Sequence, residues 1–269
     1  MLCLISGQIF NPTPMKFLLL ICLFVSTLSF AQHERFESKT FTDSQETSLN
    51  YRILYPENYD ANKKHPLVLF LHGAGERGSD NKAQLTHGTD AIQKMADQNS
   101  AIIILPQCPK EDYWASTKFN RTKYPIDFDF NYTYPETKAL HAAIELVKSF
   151  IKNKTSSKKR TYITGLSMGG MGTFEAVGRY PKLFAAAMPV CGGADLNSYG
   201  KKQAKIPFWI FHGDVDGVVP VKNSRDAYKH LQNLGANVTY TEYPKVNHNS
   251  WENAFKEANY TNWFFQFRR

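Results

Sequence analysis

The stretch Arg160–Gly172, which reads RTYITGLSMGGMG, constrains the fold of this chain more than any other. Its residues 162–164 suit a short buried strand, because β-branched and aromatic side chains favour strands. The next five residues match G-x-S-x-G around Ser167, and Thr173–Val177 continues as a helix. A strand, a sharp turn and a helix form the context in which such a serine is lifted out of a sheet. The stretch therefore predicts a nucleophile at Ser167, in a turn too tight for side chains at the flanking glycines.

Apolar runs and amphipathic segments alternate along the rest of the chain. Leu67–Leu71 and Ala101–Leu105 are continuously apolar, as expected of strands covered on both faces. This alternation predicts an α/β fold with a mostly parallel sheet, whose ligands bind at the carboxyl ends of the strands. The predicted strands are 36–41, 48–55, 67–71, 101–105, 162–164, 183–190, 206–211 and 238–243, the first two forming an antiparallel edge hairpin. Helices are predicted over 84–98, from Pro135, after the elbow, over 221–234 and after a Ser250 cap.

Residues 1–31 are predicted to be a signal peptide. Met15 and Lys16 precede the apolar run Phe17–Val25, and Ser29–Ala31 is a small-x-small cleavage site before Gln32. Met15 is an alternative start. The apolar run is shorter than the ~20 residues of a spanning helix, so removal is favoured over a membrane anchor. The sequence thus predicts a secreted or periplasmic protein, without stable membrane insertion, whose residues 32–269 form a single domain.

The charge balance is basic, with 32 Lys and Arg against 24 Asp and Glu and a net charge of +8. The basic residues are scattered along the sequence. Their one tight run, Lys158–Arg160, precedes the elbow strand and is interpreted as its solvated beginning. Because no nucleic-acid-binding motif accompanies the charge, no nucleic-acid partner is predicted.

Cysteine usage argues against a metal site. Cys3 and Cys22 fall in the predicted leader, which leaves Cys108 and Cys191. These two form either one disulfide or two separate thiols, and the thiols are preferred. Two cysteines do not make a thiolate zinc site, and the chain has no H-E-x-x-H motif. No metal and no cofactor are therefore predicted.

The candidate general base is His248. A serine hydroxyl needs a base that is itself oriented by an acid, and in this architecture the chain order is Ser, acid, His. Only His212, His230 and His248 follow Ser167. His230 is interpreted as a solvated helix residue and His212 as strand-end packing. His248 lies in a loop between the last strand and the last helix, where an imidazole can reach the serine.

The candidate acid is Asp216, within the segment HGDVDGVVP. Asp214 is closer to the strand and is expected to shape the loop by accepting backbone hydrogen bonds. Asp195 and Glu242 are further alternatives that the sequence leaves open.

The loop that begins at His72 is predicted to complete an oxyanion hole. Two backbone N–H groups are needed, one from Met168 and the other from Ala74 or Gly73, where small residues let the backbone approach a substrate. The same segment, Gly73–Gly78, also matches the dinucleotide fingerprint G-x-G-x-x-G. Predicted export and the preceding histidine disfavour that alternative.

Residues 106–134 form an aromatic-rich insertion that is too long for an ordinary connection. Its rings either stack on a sugar or phenolic substrate or pack onto the domain. Trp114 is the expected substrate contact, with His72 and Gln107 as further candidates.

These segments resemble the α/β-hydrolase superfamily. The resemblance rests on LHGAGERG, LPQCP, YITGLSMGGMGTFE, PVCGG and FHGDVDGVVP, and covers essentially the whole mature length. Within the superfamily the chain is similar to the esterase branch of feruloyl and acetylxylan esterases, polyhydroxybutyrate depolymerases and relatives of prolyl oligopeptidase. The resemblance implies an eight-stranded core and ester hydrolysis through an acyl-enzyme. Gly217 departs from the pattern, since relatives often carry proline there.

The expected function is hydrolysis of a small-molecule or polysaccharide-linked ester, acetyl or feruloyl, by an exported serine esterase. An oligopeptidase-like serine peptidase would use the same triad. A non-catalytic carbohydrate-binding protein on the same scaffold is an alternative of another class, disfavoured because a binder has no use for a complete Ser, Asp and His set.

Overall fold

The structure, a computed structural model, describes residues 34–269, so the predicted leader with Cys3 and Cys22 lies outside it. The strands follow the apolar runs of the sequence, except that the elbow strand starts earlier, at Ser156 rather than Tyr162. The strands predicted from Leu183 and Ile206 begin at Ala186 and Phe208, three and two residues later. The strands are β1 (Glu37–Thr42), β2 (Ser48–Leu54), β3 (His65–Leu71), β4 (Ile102–Pro106), β5 (Thr117–Asn120), β6 (Asp127–Phe130), β7 (Ser156–Leu166), β8 (Ala186–Val190), β9 (Phe208–Gly213) and β10 (Val238–Tyr243).

Eight of these strands form one sheet in the order β1-β2-β4-β3-β7-β8-β9-β10. The pairs from β4 through β10 are parallel, whereas β1 pairs with β2, and β2 with β4, in antiparallel fashion. This confirms the predicted fold class, a mostly parallel eight-stranded sheet with an antiparallel edge hairpin. Because the strands are parallel, their carboxyl ends lie along one edge, where the candidate residues of the sequence converge.

Helices cover both faces of the sheet, and their limits correct three predictions. The helix predicted from Pro135 begins at Lys138, because the Thr137 hydroxyl accepts the Leu140 N–H and caps it there. The segment predicted as one helix over 84–98 is divided by Gly88, whose φ is +78°. Ser250 precedes the final helix, but its hydroxyl makes no capping bond. The α-helices are α1 (Thr89–Asn99), α2 (Lys138–Lys152), α3 (Met168–Arg179), α4 (Lys222–Asn233) and α5 (Trp251–Ala254), and 3₁₀ turns span Ala74–Glu76, Ala83–Leu85, Leu196–Ser198, Gln203–Lys205 and Trp263–Gln266.

Two hydrophobic clusters hold the sheet between its helices. Alternate residues of β3 point to opposite faces, so Leu67 and Leu69 belong to one cluster and Val68 and Phe70 to the other. Every residue of β3 and β4 is buried. Each buried Leu, Ile or Val contributes about 1.5–3 kcal/mol relative to an exposed one, so the centre of the sheet is a rigid base for its loops.

The aromatic insertion contains a hairpin that the sequence did not predict. Strands β5 and β6 pair only with each other, in a separate two-stranded sheet. The hairpin is fastened to the domain by a hydrogen bond from the Ile126 N–H to the Val218 carbonyl (2.9 Å). Phe128 and Phe130 pack against a small buried cluster that includes Met171 and Val219. The insertion therefore stands beside the carboxyl edge of the main sheet.

Cys108 and Cys191 are both buried and unpaired, which confirms the preferred thiol interpretation. Burial raises the pKa of each thiol well above its ordinary value. Within residues 34–269, no helix has the length and apolar character needed to cross a membrane.

Candidate active site

Ser167 lies between β7 and α3 with φ 54° and ψ −114°, a backbone conformation that L-residues rarely adopt. The two glycines of the motif make this turn possible. A Cβ on Gly165 would overlap the backbone of Gly169, and a Cβ on Gly169 would overlap the carbonyl of Leu71. The turn is anchored by a hydrogen bond from the Ser167 N–H to the Val190 carbonyl (2.9 Å). The predicted elbow geometry is thus present, and strand packing holds it.

A chain of hydrogen bonds links Ser167 to Asp216 through His248. Oγ of Ser167 lies 2.9 Å from Nε2 of His248, and Nδ1 of His248 lies 2.8 Å from Oδ2 of Asp216. A carboxylate only accepts, so Nδ1 carries the proton and Nε2 accepts the serine O–H. The structure therefore brings together the three side chains that the sequence predicted to meet, with the imidazole in the tautomer that a general base needs.

Asp216 is held by four donors. Its Oδ1 accepts the N–H groups of Val218 (2.8 Å) and Val219 (2.9 Å), and its Oδ2 accepts from His248 and from His212. Burial by itself raises the pKa of this carboxyl, but the hydrogen bonds from both histidines outweigh burial and hold the pKa well below its usual range. The group is therefore an oriented anion beside His248.

His212 contacts the acid, which the sequence analysis missed. Its Nε2 lies 3.1 Å from Oδ2 of Asp216 and 3.1 Å from the Val219 carbonyl, and both partners are acceptors, so Nε2 carries the proton. Its Nδ1 lies 2.7 Å from the Ser224 hydroxyl, which donates to it. The ring is completely buried and both of its nitrogens are satisfied by protein groups. The only sequence signal for this contact was the spacing of four residues between His212 and Asp216.

Asn247 links the acid loop to the base loop. Its Oδ1 accepts the N–H of Gly217 (2.9 Å) and the N–H of His248 (2.8 Å). Proline has no N–H, so the glycine that departs from the family pattern supplies a hydrogen bond that proline would remove.

A cleft of about 230 Å³ opens over Ser167 and His248. Gly73 and Ala74 line it, as the oxyanion prediction requires, and Met168 is the first residue of α3, where helix N–H groups lack intrahelical partners. A Cβ on Gly73 would meet the Glu76 carboxylate at 2.9 Å, so the backbone of this loop packs closely on that side chain. The remaining lining residues are mostly aromatic or apolar: Gly75, Glu76, His87, Tyr113, Arg121, Tyr124, Ile126, Phe128, Leu166, Met171, Val218, Val219 and Trp251.

Glu76 and His87 form a polar pair on one wall of this cleft, and sequence reasoning missed them. Their side chains approach to 3.5 Å. Burial alone raises the pKa of Glu76, and the hydrogen bond from His87 together with the nearby His72 brings it below its ordinary value.

The side chains of the three predicted substrate contacts are all buried in the structure. Trp114 has no exposed area, packs against Gly172 and lies edge-on to His72 at 5.4 Å between ring centres. His72 donates from Nδ1 to the Gly73 carbonyl (2.6 Å) and accepts the Cys108 N–H at Nε2 (2.9 Å). Gln107 accepts the Asn81 N–H (2.7 Å). These residues support the loops around the cleft instead.

The alternative acids and the third histidine serve other contacts. Asp214 accepts the Lys245 N–H (2.6 Å), which is the loop-shaping role that the sequence suggested. Asp195 accepts the Tyr132 N–H (3.0 Å), and Glu242 pairs with Arg225. His230 contacts the Tyr199 carbonyl. These groups all bond away from Ser167.

Three potential metal ligands also converge in this region. Atoms of Cys191, Asp216 and His248 lie within 4.8 Å of one another, which makes them the one such group among the residues that the structure describes. Asp216 and His248 are already bonded to each other. Two of the three groups are therefore already used in the hydrogen-bonded chain, and the third, Cys191, is a buried thiol beside it.

Comparison with known proteins agrees with this geometry. The model of the phospholipase/carboxylesterase family matches residues 58–261. A "probable carboxylesterase" of Oryza sativa subsp. japonica is 25% identical over 192 residues, which are 67% of this chain and 80% of the relative. A bifunctional acetylxylan esterase/xylanase of Neocallimastix patriciarum is 24% identical over 71% of this chain and 26% of its own length. The crystal structure of a thermostable esterase superposes with a TM-score of 0.77 at 35% identity, over 88% of this chain and 64% of that one.

The fold, the strained serine turn and the matched family agree on one chemistry. An activated serine in a strand–turn–helix context, at the carboxyl edge of a parallel sheet, is the arrangement of enzymes that transfer acyl groups to water. The chain belongs to the phospholipase/carboxylesterase family of α/β-hydrolases and is a serine hydrolase of carboxylic esters.

Proposed function

We propose that this protein is an exported esterase that removes acyl groups from carbohydrate, with Ser167, His248 and Asp216 as its catalytic triad. The observation that carries the triad is the continuous hydrogen-bonded chain from Ser167 Oγ to Asp216 Oδ2, with contacts of 2.9 and 2.8 Å. Each role follows from the donor and acceptor assignments at the two ends of the His248 ring.

In the first half of the reaction, Nε2 of His248 takes the Ser167 proton while Oγ attacks the ester carbonyl carbon. The resulting imidazolium is stabilised by the Asp216 carboxylate, which stays ionised because its pKa is held low. His248 then returns the proton to the leaving alcohol oxygen as the ester C–O bond breaks. An acyl-enzyme on Ser167 remains, and a water activated by His248 releases the acid.

The oxyanion is assigned to the N–H groups of Met168 and Ala74. Met168 directly follows the nucleophile and lies at a helix N-terminus, which favours negative charge. Of the two candidates in the other loop we assign Ala74, which lines the cleft as the first residue of a short 3₁₀ turn. Losing one such donor typically costs about 10²–10³ in rate.

Carbohydrate-linked esters are proposed on two grounds. A relative that matches 71% of this chain is named as an acetylxylan esterase/xylanase. The cleft also carries aromatic walls, with Tyr113, Phe128 and the 61% exposed Tyr124, and such rings stack on sugar or phenolic groups.

Export is proposed from the leader pattern, with removal after Ala31. A relative in Arthroderma benhamiae named as a secreted protein is 26% identical over 71% of this chain. Expression of the full chain, cell fractionation and N-terminal sequencing test this; a mature protein that starts at Gln32 outside the cytoplasm supports it, and an uncleaved cytoplasmic chain contradicts it.

The triad is tested with the Ser167→Ala variant and a fluorophosphonate probe. We expect the wild-type protein to be labelled and the variant to be unlabelled, with kcat on a small acetyl ester reduced about 10⁶-fold. A Ser149→Ala variant, which alters a serine on α2, is the control and should retain both. Labelling of the Ser167→Ala variant would contradict the assignment.

The substrate class is tested with the wild-type enzyme on acetylated xylan, feruloylated arabinoxylan, a small acetyl ester and a peptide anilide. We expect kcat/KM on a polysaccharide ester to exceed kcat/KM on the peptide. Preference for the peptide would favour the oligopeptidase alternative instead.

A further inference from the structure

The basic residues that are scattered in the sequence come together in the fold. Two neighbouring cavities of about 750 and 560 Å³ share Lys158, Lys182 and Lys202 in their walls. The remaining cations of this surface, which we call the basic face, are Lys148, Lys152, Lys159, Arg179, Lys205, Arg268 and Arg269. Lys158 and Lys159 do lie at the beginning of the elbow strand, as predicted, but they are part of this larger assembly.

The basic face lies at the opposite edge of the sheet from Ser167. Lys158 is near the amino end of β7, and Ala185 and Pro207, which also line the larger cavity, precede β8 and β9. The catalytic groups follow the carboxyl ends of the same strands. At about 3.3 Å per residue, the length of β8 alone separates the two edges by roughly 17 Å. A ligand on the basic face would therefore not occupy the catalytic cleft.

The positive charge of the basic face is not balanced by acidic side chains in the walls of its cavities. Among the residues that the structure describes, no Asp or Glu lines either cavity. Arg179 pairs with the buried Glu175 and Lys148 with the partly exposed Glu145, whereas Lys158, Lys182 and Lys202 are exposed. Repulsion among like charges costs folding free energy, so a concentrated single-sign field is expected where it steers or holds a charged partner.

A third cavity provides an internal comparison. It has a similar volume, about 710 Å³, and its walls carry Lys94 and Lys256 together with Asp90, Glu252 and Glu257. Its charges are mixed, as on an ordinary soluble surface. The absence of acids from the basic face is therefore a local property, and not simply the net charge of the chain spread evenly.

We propose that the basic face binds an acidic polysaccharide, a polymer whose sugar rings carry carboxylates. The floor of the larger cavity is apolar, with the partly exposed Pro181, Pro207 and Phe267 beside the lysine side chains. Ring faces of sugars are apolar and their carboxylates project from the edge, so this floor and rim are complementary to such a chain. Because most of the cations are lysines, they act as point charges, without the bidentate geometry that favours phosphate.

The shape of the face disfavours a membrane as its partner. Insertion into a lipid surface needs apolar side chains that protrude, but Phe184 and Ile206 are recessed, with 0% and 3% of their surface exposed. The large hydrophobic side chains that are exposed in the described part of the chain are Tyr59, Tyr124 and Val215, and none of them lines either cavity.

Binding of the full-length protein to polygalacturonate, with uncharged dextran as the reference polymer, tests the proposal. We expect binding to polygalacturonate at low ionic strength that weakens as salt is added. The triple variant Lys158→Glu, Lys182→Glu, Lys202→Glu should raise the dissociation constant at least about tenfold. The matched variant Lys94→Glu, Lys229→Glu, Lys256→Glu changes the net charge equally and should bind like the wild type.

Both triple variants should hydrolyse a small soluble ester at the wild-type rate. This result would show that they are folded, and it would make a failure of polysaccharide binding distinguishable from a failure of the proposed triad. Equal loss of binding in both triple variants would overturn the basic face as the site, since net charge would then be the cause. Equal binding to dextran would overturn it too. Tighter binding to duplex DNA, or to vesicles that contain anionic phospholipid, would overturn the polysaccharide as the partner.

Discussion

Two histidines contact the same oxygen of Asp216 from different regions of the fold. His212 belongs to strand β9 and is completely buried, whereas His248 lies in the loop after β10 with one fifth of its side chain exposed. Both ring nitrogens of His212 are bonded to protein groups, but Nε2 of His248 faces the serine hydroxyl. We infer that burial and the partner of the second ring nitrogen, and not contact with the acid, distinguish His248, the proposed proton carrier, from His212, which holds the acid in place.

His248→Ala gives the largest expected effect. Removal of the base leaves the Ser167 hydroxyl without a proton acceptor, and we expect kcat on a small ester to fall about 10⁶-fold with the thermal unfolding midpoint little changed. Steady-state kinetics and calorimetry measure the two quantities. A loss below about a hundredfold would mean that the two histidines do not differ as described.

Trp114→Ala should reduce stability, not substrate binding. The ring is fully buried, so its removal leaves a cavity that costs about 3–5 kcal/mol of unfolding free energy. Trp114→Phe is the control, and its cost should be smaller because the indole N–H has no hydrogen-bond partner to lose. Urea unfolding and KM measure the outcome; a raised KM at unchanged stability in the Phe variant would restore Trp114 as a substrate contact.

His212→Ala tests the positioning role of the buried histidine. Asp216 would lose one donor on Oδ2, and the resulting freedom of the acid and base should lower kcat about 10–100-fold while KM stays constant. His212→Gln should recover part of kcat, because its amide N–H can donate to the same oxygen. Ser224→Ala removes only the partner of Nδ1 and should cost less. If kcat fell and KM rose together in all three variants, the role of His212 would be merely structural.

The burial of His72 should give a pH dependence of stability. Burial lowers the pKa of this imidazole from its ordinary 6.5 to about 4. The unfolded chain therefore binds a proton that the folded chain excludes, and the free energy of unfolding should fall by about 1.4 kcal/mol per pH unit from pH 6.5 to 4. Unfolding at several pH values should show a shallower dependence for His72→Gln. Identical slopes would contradict the assignment.

These contrasts also show what sequence could and could not predict. The elbow, the parallel sheet and the meeting of Ser167, Asp216 and His248 follow from local pattern and chain order, because strand ends of a parallel sheet converge on one edge. Trp114, His72 and Gln107 were predicted as substrate contacts, and their burial could not be predicted because a motif does not reveal which side of a loop faces the core. His212 was missed because its contact depends on a loop that folds back within four residues. The hairpin was missed because each of its strands has only four residues, too few for a periodic pattern to indicate a strand.

The hairpin of β5 and β6 has a consequence for how such an enzyme diversifies. Since its strands pair with each other and not with the main sheet, we expect its length and side chains to be exchangeable without a change in the register of that sheet. We therefore expect exchange of the hairpin to alter substrate selectivity while the hydrogen-bonded chain of Ser167, His248 and Asp216 stays in place. Grafting the corresponding insertion of another esterase would test this separation.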